Sequence, residues 1–244
     1  EVEIRLARYK IFMLDEKDLN PYHTKWLKDY FKNKILRHIA PILLDNKVKL
    51  VSRLNDSATY LYIAIYRDNK PTSYATIEVP SQAMSRFVVI PPEKSRKKKY
   101  IILLDDIIRQ NLDSIFKGFV EFDQLVAYSF KMTRDSEYSI NDEIDESYVD
   151  KMSESMKQRL IAEPVRVVYD GDMPEDMVKD LQKRLKISSY DSLIASGAYR
   201  NFKDFIGFPN IGREYLENKP LPALTCSDFS RYDTVFEAIT AKDI

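Results

Sequence analysis

Cysteine, histidine, glycine and tryptophan are scarce in this chain of 244 residues, which holds one cysteine, two histidines, five glycines and one tryptophan. A single cysteine, Cys226, excludes an intrachain disulfide framework and fits a reducing cytoplasm. Two histidines and that cysteine, far apart in sequence, leave a zinc site without its donors. Neither G-x-x-x-x-G-K-[ST] nor G-x-G-x-x-G occurs, so the chain has no recognisable phosphate cradle of its own. No apolar run approaches the ~20 residues that span a bilayer, and the amino terminus does not read as a signal peptide. Charge of one sign is missing too: Lys plus Arg and Asp plus Glu both number 38. With no net field to attract nucleic acid or an anionic membrane, any polyanion reading rests on a local patch.

What is present organises around residues 126–174. Val126 to Met132 alternates bulky apolar with small or polar residues, the period of a half-buried strand. After an acidic turn, Ile144, Tyr148, Met152, Met156 and Leu160 recur every four residues and predict an amphipathic helix. Its acidic first turns and basic last turn match the helix dipole. Pro164 to Tyr169 reads as a second strand, and two strands joined by such a helix predict a right-handed crossover in a mixed sheet.

Elsewhere, Asn20 and Pro21 mark the start of a helix that buries Tyr22, Trp26, Leu27, Tyr30, Phe31 and Ile35. Val48–Val51, Ala58–Tyr66, Ser73–Val79 and Arg86–Ile90 read as strands, the second and third forming a hairpin over Asp68-Asn69-Lys70-Pro71. In the Ala58–Tyr66 strand Leu61, Ile63 and Ile65 share one face and Tyr60, Tyr62 and Tyr66 the other. If the aliphatic face meets the core, the tyrosines are interface candidates; the competing account is that a helix of the same domain covers them. Tyr100–Leu104 reads as extended, Asp105 as the start of a helix with Ile108, Leu112 and Ile115 inward, and Gly118 as its stop. Asp172 and Pro174 open a helix burying Met177, Leu181 and Leu185. A helical turn follows over Asn201–Ile206, Lys219-Pro220-Leu221-Pro222 is a linker, and Asp233–Ala241 is a terminal helix. The pattern is that of one α+β domain with a mixed β-sheet and packed helices.

Several arrangements resemble chemistry. His23-Thr24-Lys25 spells H-x-K, but the catalytic version needs a strand, where residues two apart share a face; on a helix they do not. The acidic run 141–146 lacks the glycine and glutamate of a calcium loop and instead complements a helix dipole. Asp135 and Glu137 are a conceivable acid–base pair, or a cap and a partner for Arg134. No catalytic residue and no metal site is assigned. The densest charge is the loop Lys94-Ser95-Arg96-Lys97-Lys98-Lys99. Its two readings are a polyanion contact through Lys94, Arg96, Lys97, Lys98 and Lys99, and a solvated loop that guards a sheet edge.

Three stretches are specific enough to suggest a family. Tyr128-Ser129-Phe130-Lys131-Met132-Thr133-Arg134-Asp135-Ser136-Glu137-Tyr138 is the first, and Met156-Lys157-Gln158-Arg159-Leu160-Ile161-Ala162-Glu163-Pro164-Val165-Arg166 the second. The third is Asn201-Phe202-Lys203-Asp204-Phe205. They resemble the middle, or head, domain of the bacterial polyphosphate kinases. On that resemblance residues 1–10 are similar to the tail of an amino-terminal helical domain, 11–224 to the head domain, and 225–244 to the approach to the first catalytic domain. It departs at Ser196-Gly197-Ala198-Tyr199-Arg200, where a Gly-Gly-Arg-Tyr-His type of loop is expected. The chain lacks an initiator methionine and opens inside an apparent element, so a piece of a longer protein is expected.

The resemblance implies a parent that reversibly transfers the terminal phosphate of ATP to polyphosphate through a phosphohistidine, with Mg2+. It places the histidine and most nucleotide contacts outside this part and implies that the head domain serves dimer assembly, through self-association with a second copy. Within this chain it implies no cofactor and, as partners, a second copy and inorganic polyphosphate; the neutral net charge and the lack of a long apolar run predict no nucleic acid and no membrane span. The alternatives are a free-standing polyanion or nucleic-acid binding module using the basic loop, and a hydrolase built on Asp135 and Glu137.

Overall fold

A strand buried on both faces is the axis of the fold. In the computed structural model, which describes residues 1–45, 48–56, 58–93, 97–134, 164–187, 192–197, 202–224, 226–227 and 229–241, Thr59–Arg67 forms β3. Residues 61, 63 and 65 face one apolar core, with Leu27, Phe31, Ile35, Ile102, Ile107 and Phe116. Residues 60, 62 and 64 face a second, with Leu44, Leu50, Phe130, Met177, Leu181 and Leu185. Strict alternation thus serves two cores, and of the two accounts of the tyrosine face the covered one holds for Tyr60 and Tyr62, which are 1% and 0% exposed, so neither is an interface residue. The cover is the helix of the same domain at residues 175–185.

Unit 1, Glu1–Pro209, carries two mixed sheets. It begins with α1 (Val2–Arg8), β1 (Ile11–Leu14) and α2 (Pro21–Tyr30). The Asn20 side chain accepts from the His23 amide at 2.8 Å, the expected cap, with Pro21 tolerated in the first turn. A turn of π-helix, Phe31–Ile35, carries the apolar stripe onward. The strand expected at Val48–Val51 is absent: Leu50–Arg53 is a 3₁₀ turn, and β2 lies earlier at Ile42–Leu44. The Asp45 carboxylate accepts from Val48 N at 2.9 Å and diverts the chain, which a short apolar run does not reveal.

β3 and β4 (Lys70–Glu78) form the expected hairpin. Asp68 and Asn69 both take left-handed φ, 52° and 59°, matching the twist of a two-residue hairpin loop. Then come β5 (Phe87–Ile90), β6 (Lys99–Leu103), α3 (Leu104–Gln110) and α4 (Leu112–Phe116). The single helix expected after Asp105 is broken at Asn111, whose amide side chain donates to Ile107 O at 2.8 Å. Ile108, Leu112 and Ile115 are nevertheless all buried, and Gly118 ends the segment at φ 87°. The small sheet runs β1-β6-β5, with β1 parallel and β5 antiparallel to β6.

The large sheet runs β2-β4-β3-β7-β8-β9, adding β7 (Gln124–Arg134), β8 (Pro164–Asp170) and β9 (Ser192–Ser196). β7 and β8 pair antiparallel, Phe130 opposite Tyr169, so the predicted crossover between them is corrected. The handedness rule applies only once a pair is parallel, and the length of an insert does not make it so. The parallel pair comes one strand later, β8 with β9, joined through α5 (Glu175–Leu185). Met177, Leu181 and Leu185 are buried as expected, but α5 starts after Pro174 rather than on an Asp172 cap. The expected helix at 144–160 lies outside the described residues, as do Asp135, Glu137 and the run 141–146. A 3₁₀ helix at Phe202–Gly207 closes the unit.

Unit 2, Asn210–Ile244, holds 3₁₀ turns at Glu214–Leu216 and Phe229–Arg231 and α6 (Val235–Ala241). Ala238 is buried, while Val235, Phe236 and Ile239 are exposed.

Candidate functional site

The described part of the basic loop lies where β1 and β6 begin. The strands are parallel, with Phe12 opposite Tyr100, so these rings share a face and stack with centroids 5.6 Å apart. Lys98 Nζ sits 5.8 Å from the Phe12 centroid, a cation over an aromatic face. His23 of α2 also packs on Tyr100, tilted, with centroids 4.7 Å apart. Lys97 and Lys98 are exposed and Lys99 half-buried; Lys94 and Arg96 lie outside the described residues.

His23 is 4% exposed. Burial pushes its imidazole below the usual histidine range, with Glu93 opposing in part, so the ring is held neutral. Lys25 is exposed on the same helix, so the two ends of H-x-K point to different environments, as a helix requires. His38 is exposed and accepts from Arg37 Nε at 3.3 Å.

The tyrosine face is a packing device. Tyr62 stacks on Tyr74 at 5.4 Å, and its hydroxyl donates to the Asp180 carboxylate of α5. Arg184 holds the same carboxylate at 2.6 Å, donates to Asp45 O at 3.2 Å and lies over Tyr74. Tyr60 donates to Glu78 at 2.8 Å and accepts from Asn55 N at 2.6 Å. Burial above all, and then the carboxylate beside it, raises the Tyr62 hydroxyl pKa and keeps it protonated. Only Tyr66 of the three interface candidates is half-exposed.

Sequence reasoning missed a cluster of charges, of which Glu16, Asp105, Asp106 and Arg109 line an open cleft of about 830 Å³. Arg86 grips Asp105 through Nε at 3.2 Å and Nη2 at 2.9 Å, the side chains 9% and 2% exposed. Arg109 meets Asp106 at 2.6 Å, Glu16 at 3.1 Å and Ala127 O at 3.1 Å, tying α3 to the segment after β1 and to β7. Burial alone would raise the Asp105 pKa, but the Arg86 charge and hydrogen bonds win and hold it below the usual carboxylate range. Asp106 goes the other way, pushed up to about 7 by burial and then by the charge of Asp105. The signal was present in the chain: Asp105-Asp106 interrupts the apolar run from Tyr100 to Ile108, with Arg109 three residues on. Among the described residues no group of His, Cys, Asp or Glu is arranged to hold a metal ion. These carboxylates answer to guanidinium groups of the same chain, and the cluster acts as a clamp between layers.

The family described as polyphosphate kinase middle domain matches residues 22–208. Over its whole length the chain is 49% identical to a polyphosphate kinase of Vibrio cholerae and 47% identical to one of Escherichia coli K12, covering 35% and 36% of those proteins. The crystal structure of a polyphosphate kinase from Porphyromonas gingivalis shares the fold, with TM-score 0.70 and 24% identity over 98% of this chain and 33% of that one. The chain belongs to the polyphosphate kinase family and carries its middle domain; it spans about one third of the length of the curated relatives it matches. Among the described residues no helix is long and apolar enough to cross a membrane.

Proposed function

We propose that this chain is the assembly and scaffolding part of a polyphosphate kinase, packing against a second copy and thereby holding two catalytic halves in one dimer. In the parent, a histidine outside this part takes the terminal phosphoryl group of ATP, with Mg2+, releases ADP, and passes the group to the end of a polyphosphate chain. The reaction is reversible, and a cytoplasmic setting suits it. The observation that supports this reading is the middle-domain match over residues 22–208 on a fold shared across nearly the whole chain.

A stable interface buries roughly 1,200–2,000 Å² in total. The described sheet edges offer apolar anchors for it: Leu43 on β2, Val89 on β5 and Ile194 on β9 are all exposed. Sedimentation across a concentration series, on this chain and on a full-length parent with Leu43→Lys, Val89→Lys or Ile194→Lys, tests the reading. Loss of the parent dimer with one of these is expected. A parent that stays dimeric with every exposed face of this domain altered in turn overturns it. Incubated with labelled ATP and Mg2+, the chain alone is expected neither to make polyphosphate nor to become phosphorylated on histidine, and acid-labile label on His23 or His38 would contradict that.

A further inference from the structure

Parallel strands set their amino-terminal ends side by side, and here that geometry gathers cations from two segments far apart in sequence. Arg8 and Lys10 leave α1 for β1, and Lys97, Lys98 and Lys99 lead into β6. The Lys99 amide donates to Lys10 O at 2.9 Å, locking the two runs together. Lys10 takes a left-handed φ of 63°, which turns the chain sharply out of α1 and brings its basic last turn against the strand ends. Arg8, Lys10, Lys97 and Lys98 are exposed. Charges placed so close repel one another, and a polyanion laid across them relieves that repulsion while releasing counterions.

We propose that Arg8, Lys10, Lys97, Lys98 and Lys99 form one composite surface for inorganic polyphosphate, a choice of polyanion that rests on the proposed parent. Nucleic acid fits less well, because single strands are gripped by bases stacked on open aromatic faces. Of the rings near this surface, Phe12 is half-buried, stacked on Tyr100 and capped by Lys98, and Tyr9, between Arg8 and Lys10, is exposed, a single ring where successive bases need a series. The groups that predominate here are ammonium and guanidinium, which recognise phosphate.

The test uses end-labelled inorganic polyphosphate of defined length and reads anisotropy at several salt concentrations. With about 0.7 in slope per contacted phosphate, five contacts predict a roughly 100-fold loss of affinity from about 50 to about 200 mM salt, and three contacts roughly 20-fold. R8A/K10A and K97A/K98A should each shift the slope from the first value toward the second, with thermal melts unchanged. If R8A/K10A keeps the wild-type slope, the surface is not composite. Equal displacement by single-stranded DNA of matched charge also overturns the choice of polyphosphate. A wild-type chain that binds no polyphosphate at low salt removes the surface altogether and leaves the assembly reading, which sedimentation tests separately, standing.

Discussion

Replacing Arg86 by methionine isolates the most enclosed ion pair among the described residues. Asp105 keeps its place at the start of α3 with a 2% exposed side chain, but loses both guanidinium hydrogen bonds. A buried charge stripped of its partner costs about 3–5 kcal/mol. For a unit of this size each kcal/mol shifts the melting temperature by about 2–4 °C, so a fall of roughly 6–20 °C is expected. The effect must depend on pH. Asp105 has a folded pKa below its unfolded one, so its contribution is complete above the unfolded value, about 3.9, and is lost as pH falls through the folded value. Without Arg86, burial raises that pKa and the carboxyl can protonate, so the variant's deficit should be larger at pH 8 than at pH 4. R86M/D105L, which removes both charges, should recover most of the loss. Urea unfolding of the four proteins at both pH values measures this as a cycle. A cost for R86M below about 1 kcal/mol, the range of exposed pairs, would refute the assignment of a buried clamp.

Asp106→Asn should flatten the pH dependence of stability: a carboxylate raised to about 7 stabilises the fold most below its unfolded pKa and loses that contribution as pH rises toward 7. Urea midpoints at pH 5 and pH 8 that differ as much in the variant as in the wild type would contradict this. Tyr62→Phe removes the hydroxyl donated to Asp180 while Arg184 still holds that carboxylate, so a loss of about 1.5 kcal/mol is expected on chemical unfolding. Asn20→Ala removes the cap of α2 and should cost about 1 kcal/mol, read in the same way.

Periodic features were legible before the structure: the α2 stripe, the hairpin at Asp68-Asn69, the alternation along β3 and the inward face of α5. Each repeats a residue type at a spacing that one backbone geometry explains. What escaped was decided by partners distant in sequence. Strand direction between β7 and β8 depends on the route of the chain, and the turn at Leu50–Arg53 on one carboxylate at Asp45. The clamp was invisible as a clamp because Arg86 and Asp105 lie on different elements, and Glu16 and Arg109 farther apart still. The burial of Tyr60 and Tyr62 was open for the same reason, since alternation shows that two faces differ but not what covers each.

The two cores on β3 also restrict where self-association can occur. A strand in the middle of a six-stranded sheet, covered on both faces, offers neither backbone groups nor side chains to a second copy. Tyr60 and Tyr62 each already spend their hydroxyls on Glu78 and Asp180, so their substitution would report lost packing rather than lost contact. Edge strands differ in kind: β2, β5 and β9 are each bonded on one side within their sheets, and each shows an exposed aliphatic side chain. A lysine there costs little in the monomer because the site is already solvated, yet it places a charge where any partner strand would pack. An effect of such a lysine on assembly therefore reports on the interface and not on the fold, a separation that no substitution on β3 can achieve.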